Sequence, residues 1–155
     1  MKIYLDTCCY CRPYDNSAHT SQARVKWEIA AIRDTVRLCK AVGFVIVGSA
    51  AVTAEMGRIK EAHKRERARG FYDETVDEEL TNTPSVTVRA RELVALGLKN
   101  LDPFHVAFAE AACVDFLLTT DDSLERSAER LNFSVKVINP TNLLEEYIKW
   151  LRQSM

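Results

Sequence analysis

The sequence predicts an α/β fold, a three-layer α/β/α sandwich on a mainly parallel central sheet of four or five strands. Three observations carry this. Short apolar segments rich in β-branched residues alternate along the chain with segments of helical period. Each strand candidate is bounded by turn or cap signals, and strands joined through helices need right-handed crossovers that cover both sheet faces. At 155 residues and 47% hydrophobic content, the chain suits one domain spanning residues 1–155, a length that buries roughly 70% of its unfolded surface.

Taken in order, KIYL forms the first strand candidate and ends on Asp6. Val25, Ile29, Ile32, Val36 and Cys39 recur at spacings of three and four, predicting one apolar face of a long helix that Gly43 ends. FVIV, from Phe44 to Val47, is the second strand, and SAAVTAEM opens a helix just after it, with Glu55 about two turns in from Ser49. From Arg58 to Pro84 the chain is charged, with few apolar residues apart from Phe71, Tyr72 and Val76, and predicts a solvated helical excursion followed by a loop.

Asp102 and Pro103 make a helix start ahead of FHVAFAEAAC. VDFLLT, from Val114 to Thr119, is the third strand, and VKVI, from Val135 to Ile138, the fourth. Asp122 and Glu125 have capping-box spacing, which leaves Asp121 without a capping job; Asn142 and Glu145 repeat the spacing before a helix whose apolar face is Leu143, Leu144, Tyr147, Ile148 and Leu151. There is no internal repeat or low-complexity tract.

Twenty-one Lys and Arg against 22 Asp and Glu give a formal charge of -1, so any polyanion has to meet a local basic patch. The N-terminal apolar stretch is too short for a signal peptide and no run approaches a membrane span, which predicts a cytoplasmic protein with no membrane partner. Cys8, Cys9, Cys11, Cys39 and Cys113 are odd in number with no framework spacing, so reduced thiols are expected. Cys8 and Cys11 form C-x-x-C, but a structural zinc site wants a second ligand pair, and small apolar packing is the better reading.

Ligands in open parallel sheets bind beyond the carboxyl ends of the strands. Asp6 and Asp121 each follow a strand, Asp102 sits at a helix mouth, and one face of the Glu55 helix can look toward the same edge. Each has an ordinary alternative: an N-cap for Asp102, a turn for Asp6, solvated surface for Glu55. Carboxylates placed together repel and raise one another's pKa unless a cation sits among them. Hard oxygen ligands favour Mg²⁺ or Mn²⁺ over Zn²⁺.

These pieces resemble the PIN domain, a small α/β metal-dependent nuclease fold. The likeness rests on KIYLDT, the helix bearing Glu55, GLKNLDPFHVAFAEAACVDFLLTTDD and the closing strand and helix, nearly the whole chain. It implies that Asp6, Glu55, Asp102 and Asp121 form the catalytic acidic set that binds one or two Mg²⁺ or Mn²⁺ ions, with Thr7, Thr119 and Thr120 as supporting hydroxyls. The implied activity is endonucleolytic hydrolysis of single-stranded RNA by a homodimer, as a toxin with an antitoxin partner in the bacterial toxin members. The sequence departs from the pattern at Cys8, where many relatives carry Asn or Ser, and at Ala50, where toxin members often carry an acid; both weigh against the toxin assignment.

An acidic pocket needs nearby cations to hold RNA phosphates. Arg58, Lys60, Lys64, Arg65, Arg67 and Arg69, with His63, are the candidates, against the alternative of a solvated charged helix. His105 reads as a packing residue beside the site, and Tyr10, Tyr14 and Trp27 as packing residues that could stack bases. Two other functions remain open at this stage. One is an aspartate-nucleophile phosphatase, which wants a second acid where Cys8 stands. The other is a module that binds RNA or protein without cutting.

Overall fold

The structure is a computed structural model and describes residues 1–16 and 22–155. Five strands, β1 (Lys2–Leu5), β2 (Val45–Ser49), β3 (Glu78–Leu80), β4 (Phe116–Leu118) and β5 (Lys136–Ile138), form one all-parallel sheet in the order β3-β2-β1-β4-β5. The register pairs Ile3 with Ile46 on one side of β1 and with Phe116 on the other. The chain leaves β1 for β2 and later returns to β4 on β1's opposite flank. The carboxyl ends of β1 and β4 therefore border the crevice where strand order reverses, the place such sheets bind ligands.

Among the described residues the α-helices are α1 (Thr7–Cys11), α2 (Ala23–Val42), α3 (Ala50–Gly57), α4 (Ala62–Thr75), α5 (Pro84–Ala95), α6 (Asp102–Ala111), α7 (Asp122–Leu131) and α8 (Leu143–Ser154). Two 3₁₀ turns, Arg12–Tyr14 and Pro140–Asn142, complete the elements. None of these helices is long and apolar enough to cross a membrane. β1 and β4 are buried on both faces, with Ile3, Tyr4, Leu5, Leu117 and Leu118 inaccessible to solvent, the hydrophobic run that a central parallel strand requires. Gly43 ends α2 in the left-handed conformation, as its position predicts.

The charged middle departs from its expectation twice. α4 is a helix, but it packs Ala68, Tyr72 and Thr75 into the core, and the residues after it form β3, the fifth strand, beside β2. EEL carries no strand signal of its own; it pairs because β2 presents a free edge. Gly48 lets Tyr72 in, since a Cβ there would lie 2.2 Å from the Tyr72 hydroxyl oxygen.

On α2 the buried stripe includes Glu28, while Ile29 is only half-buried. Glu28 is tolerated inside because Asn139 donates to it at 2.6 Å and Arg12 and Arg24 pair with it. On α8 only Leu143 of the expected apolar face is buried; Leu144, at 65% exposure, and Ile148 and Leu151 face outward. Asn142 makes no capping hydrogen bond and Glu145 pairs with Lys149, so the second capping box does not form. Asn139 instead caps the 3₁₀ turn through Thr141.

Of the cysteines, Cys9 and Cys39 are buried packing residues and Cys8 and Cys11 half-buried ones. Tyr10 is likewise core, edge-on to Phe71 and Tyr72.

Candidate metal centre

Asp6 is the residue at which β1 stops and α1 starts. Its backbone is extended, its amide donates to Leu118 O at 2.9 Å, and its carboxylate accepts from Thr7 N at 2.7 Å. The second carboxylate oxygen accepts from the Thr119 hydroxyl at 2.9 Å and from the Cys8 thiol at 3.4 Å. Both oxygens are thereby aimed by neighbours that leave them little freedom.

His105 makes the centre more than a ring of acids. It lies on α6 one turn beyond Asp102, so the two share a helix face, and it is fully buried. Its Nε2 stands 3.3 Å from Asp6 Oδ1 and 3.6 Å from Glu55 Oε1. Its Nδ1 is 2.8 Å from the Tyr4 hydroxyl, which is in turn 2.6 Å from Ser49 Oγ. Nε2 also lies 3.4 Å from the Thr7 hydroxyl. Burial opposes protonation of this imidazole, yet the charges of Asp6, Glu55 and Asp102 prevail and raise its pKa.

Glu55 reaches the same point from α3. Burial pushes its carboxyl up, but His105, Thr7 and Arg58 outweigh that and lower it. Ligand atoms of Asp6, Glu55 and His105 all lie within 4.8 Å of one another.

Asp102 and Asp121 sit farther out and differ from their expected jobs. Leu101, not Asp102, is the N-cap of α6, and its helical backbone makes no side-chain cap. Asp102 is the first residue of the helix proper, free of capping duty, and its pKa rises to about 7 through burial and then the charges of Asp6, Asp121 and Glu55, against His105.

Asp121 is the cap of α7: its carboxylate accepts from Ser123 N at 2.8 Å, displacing Asp122 from that role. Asp122 is held by Arg24 through two hydrogen bonds of 2.8 and 2.6 Å. The expectation failed because the backbone becomes helical one residue later than the capping-box spacing suggests. Thr119 ties the two sides together, donating to Asp6 while accepting from Asp121 N at 3.0 Å. Thr120 N donates to Cys8 Sγ at 3.3 Å.

Sequence reasoning missed His105 as a member of the cluster, although its spacing from Asp102 was the available signal. Of the basic candidates, Lys64 is held by Asp15 at 2.7 Å, Arg65 by Ile59 O at 2.7 Å and Arg69 by Asp73 at 2.9 Å. Arg67 lies over the Tyr14 ring. Arg58 and Lys60 are exposed and form no ion pair among the described residues.

Carboxylates with one imidazole and a raised acid are a donor set that a divalent cation fits, because it would offset the burial and the neighbouring negative charge that raise the Asp102 pKa. The chain has a PIN-like α/β/α fold. That assignment rests on solved structures. Over 90% of this chain and 98% of its own, the structure of VapBC2 from Rickettsia felis bound to a DNA fragment from their promoter is similar, with a TM-score of 0.59 and 16% identity. VapBC-1 from nontypeable Haemophilus influenzae is similar over 91% of this chain and 99% of its own, with a TM-score of 0.54 and 14% identity. No protein-family model matches the sequence, and no curated protein matches it.

Proposed function

We propose that this chain is a metal-dependent endoribonuclease that hydrolyses phosphodiester bonds in single-stranded RNA. The observation that carries the reading is the convergence of Asp6, Glu55 and His105 at one point, with Asp102 and Asp121 at its rim. One or two Mg²⁺ or Mn²⁺ ions would be held by Asp6 and Glu55, with Asp102 and Asp121 as further ligands or as groups that position water. When bound, such an ion activates water and neutralises charge on the leaving oxygen.

The chain's own residues prepare this site. Thr7 N and Thr119 Oγ fix the Asp6 carboxylate, and the His105 imidazole stands between Asp6 and Glu55, 3.3 Å from the one and 3.6 Å from the other. Asp102, whose carboxyl is pushed up to about 7 by burial and by the charges of Asp6 and Asp121 while no cation is bound, would give up its proton on taking one. Arg58, Lys60 and Arg67, on the α3–α4 side, are the cations best placed to meet phosphates flanking the cut.

A toxin role with an antitoxin partner belongs to this proposal, supported by fold similarity to the VapBC structures; a homodimeric state belongs to it through the sequence resemblance alone. The aspartate-nucleophile phosphatase reading is weaker, since Cys8 occupies the place of the acid it needs.

The test is cleavage of labelled single-stranded RNA with and without Mn²⁺, beside Asp6→Asn and Asp121→Asn. Metal-dependent cutting lost in Asp6→Asn supports the reading. Cutting that persists in EDTA and in both variants overturns it.

A further inference from the structure

At the far end of the sheet from β3, strand β5 has a neighbour on one side only. Thr119 N donates to Ile138 O at 3.0 Å, so Ile138 and, two residues earlier, Lys136 turn their backbone groups toward β4. In a parallel ladder the residue between them points its N–H and C=O the other way. Val137 therefore presents a donor and an acceptor to the open edge, and no described residue bonds to either.

This edge lies in a groove of about 660 Å³ between α7 and the start of α8. Its floor is apolar, from Phe133, Val135 and Val137. Its walls are acidic. Glu125 and Glu129 come from α7 and form no ion pair among the described residues, whereas Glu145, from α8, is paired with Lys149 at 2.8 Å. The one cation in the floor, Lys136, is already paired with Glu146. A second depression shares Glu125 and Asn142 with the groove and is lined by Trp27, whose side chain is 70% exposed. An indole at that position offers a face to a cation.

We propose that the β5 edge is a docking site for an extended, Lys- or Arg-bearing segment of another polypeptide, which adds as a sixth strand. Backbone pairing would come from Val137, apolar contacts from the floor, and charge recognition from Glu125 and Glu129, with Trp27 covering a cationic side chain at one end. β5 is three residues long, Lys136–Ile138, so the ladder is confined to Val137 and the rest of the segment rests on the apolar floor beside it. Charge selects the partner. Nucleic acid is repelled by the glutamates, and a second copy of this chain would bring the same acidic walls against these.

The probe is a fluorescent hexapeptide alternating lysine and valine, titrated into the full chain and followed by anisotropy. Saturable binding is expected, weakened at least about tenfold by Val137→Pro, which removes the outward N–H and leaves the β4 ladder intact. The Glu125→Gln, Glu129→Gln double variant and Trp27→Ala should each weaken it, and a glutamate-valine peptide should not bind. If Val137→Pro does not fold, the same peptide N-methylated at alternate amides makes the test on the unaltered chain.

Binding that survives both Val137→Pro and N-methylation would overturn edge pairing, as would the absence of saturable binding at millimolar peptide. Self-association through this edge, seen in sedimentation and abolished by Val137→Pro, would show a second copy as the occupant and overturn the proposed partner.

Discussion

Asp102 and Asp121 both stand at the opening of a helix beside the same crevice, and they have opposite fates. Asp121 has an extended backbone, so its side chain folds back onto Ser123 N and becomes a cap. Asp102 is already helical, preceded by a helical Leu101, so nothing in its own turn engages the carboxyl. It is left half-buried in the company of other acids, and its pKa rises to about 7 through burial first and their charges second. One aspartate is held by its backbone and the other by its neighbours' charge. Backbone angle, not residue type, decides which acid is structural.

The largest expected effect follows from Asp102. Its folded pKa of about 7 lies above the ordinary 3.8. Stability from this group is thus complete below pH 4 and lost as pH rises toward 7, because the unfolded chain releases the proton first. At about 1.36 kcal/mol per unit, discounted for screening because the carboxyl is partly exposed, the metal-free protein should lose about 2 kcal/mol across that window, measured by urea midpoints. Asp102→Asn should flatten the curve. An unchanged slope would mean that the carboxyl is not strained by its neighbours. Mn²⁺ has to displace the same proton, so its affinity should climb over the same range.

Next comes Asp6, which is wholly inside the cluster. Asp6→Asn should reduce cleavage by more than about 100-fold and abolish the rise in melting temperature on adding Mn²⁺. Asp121 then separates cap from ligand. Asp121→Ala should cost about 1 kcal/mol, whereas Asp121→Asn keeps the cap and the stability. Full cleavage by Asp121→Asn would leave this residue as a cap alone and widen its contrast with Asp102.

The smallest effect lies outside the cluster. Arg58→Ala and Lys60→Ala should leave stability within about 0.5 kcal/mol. Each should lower the salt dependence of RNA binding by about one unit of slope.

The same contrast shows how far the sequence could be read. Four of five strands, the end of α2 at Gly43 and the parallel architecture follow from local pattern, because apolar runs and turn residues record their own environment. β3 does not, since EEL is a strand only because β2 offers an edge. Glu28 broke the apolar stripe of α2 because its partners come from Arg12 and Asn139, distant in the chain. His105 was likewise visible as a neighbour of Asp102 but not as the link between Asp6 and Glu55, which depends on α3 meeting α6.

The hydrogen-bonded line from Ser49 through Tyr4 to His105 runs from inside β2 to an imidazole whose other nitrogen stands 3.3 Å from Asp6 in the candidate reaction centre. A substitution at Ser49 touches no carboxylate, yet it removes the far anchor that sets how the imidazole is held. Changes to the interior of this sheet will therefore be scored in activity assays as though they were changes to the site, and the core and the chemistry are constrained to vary together.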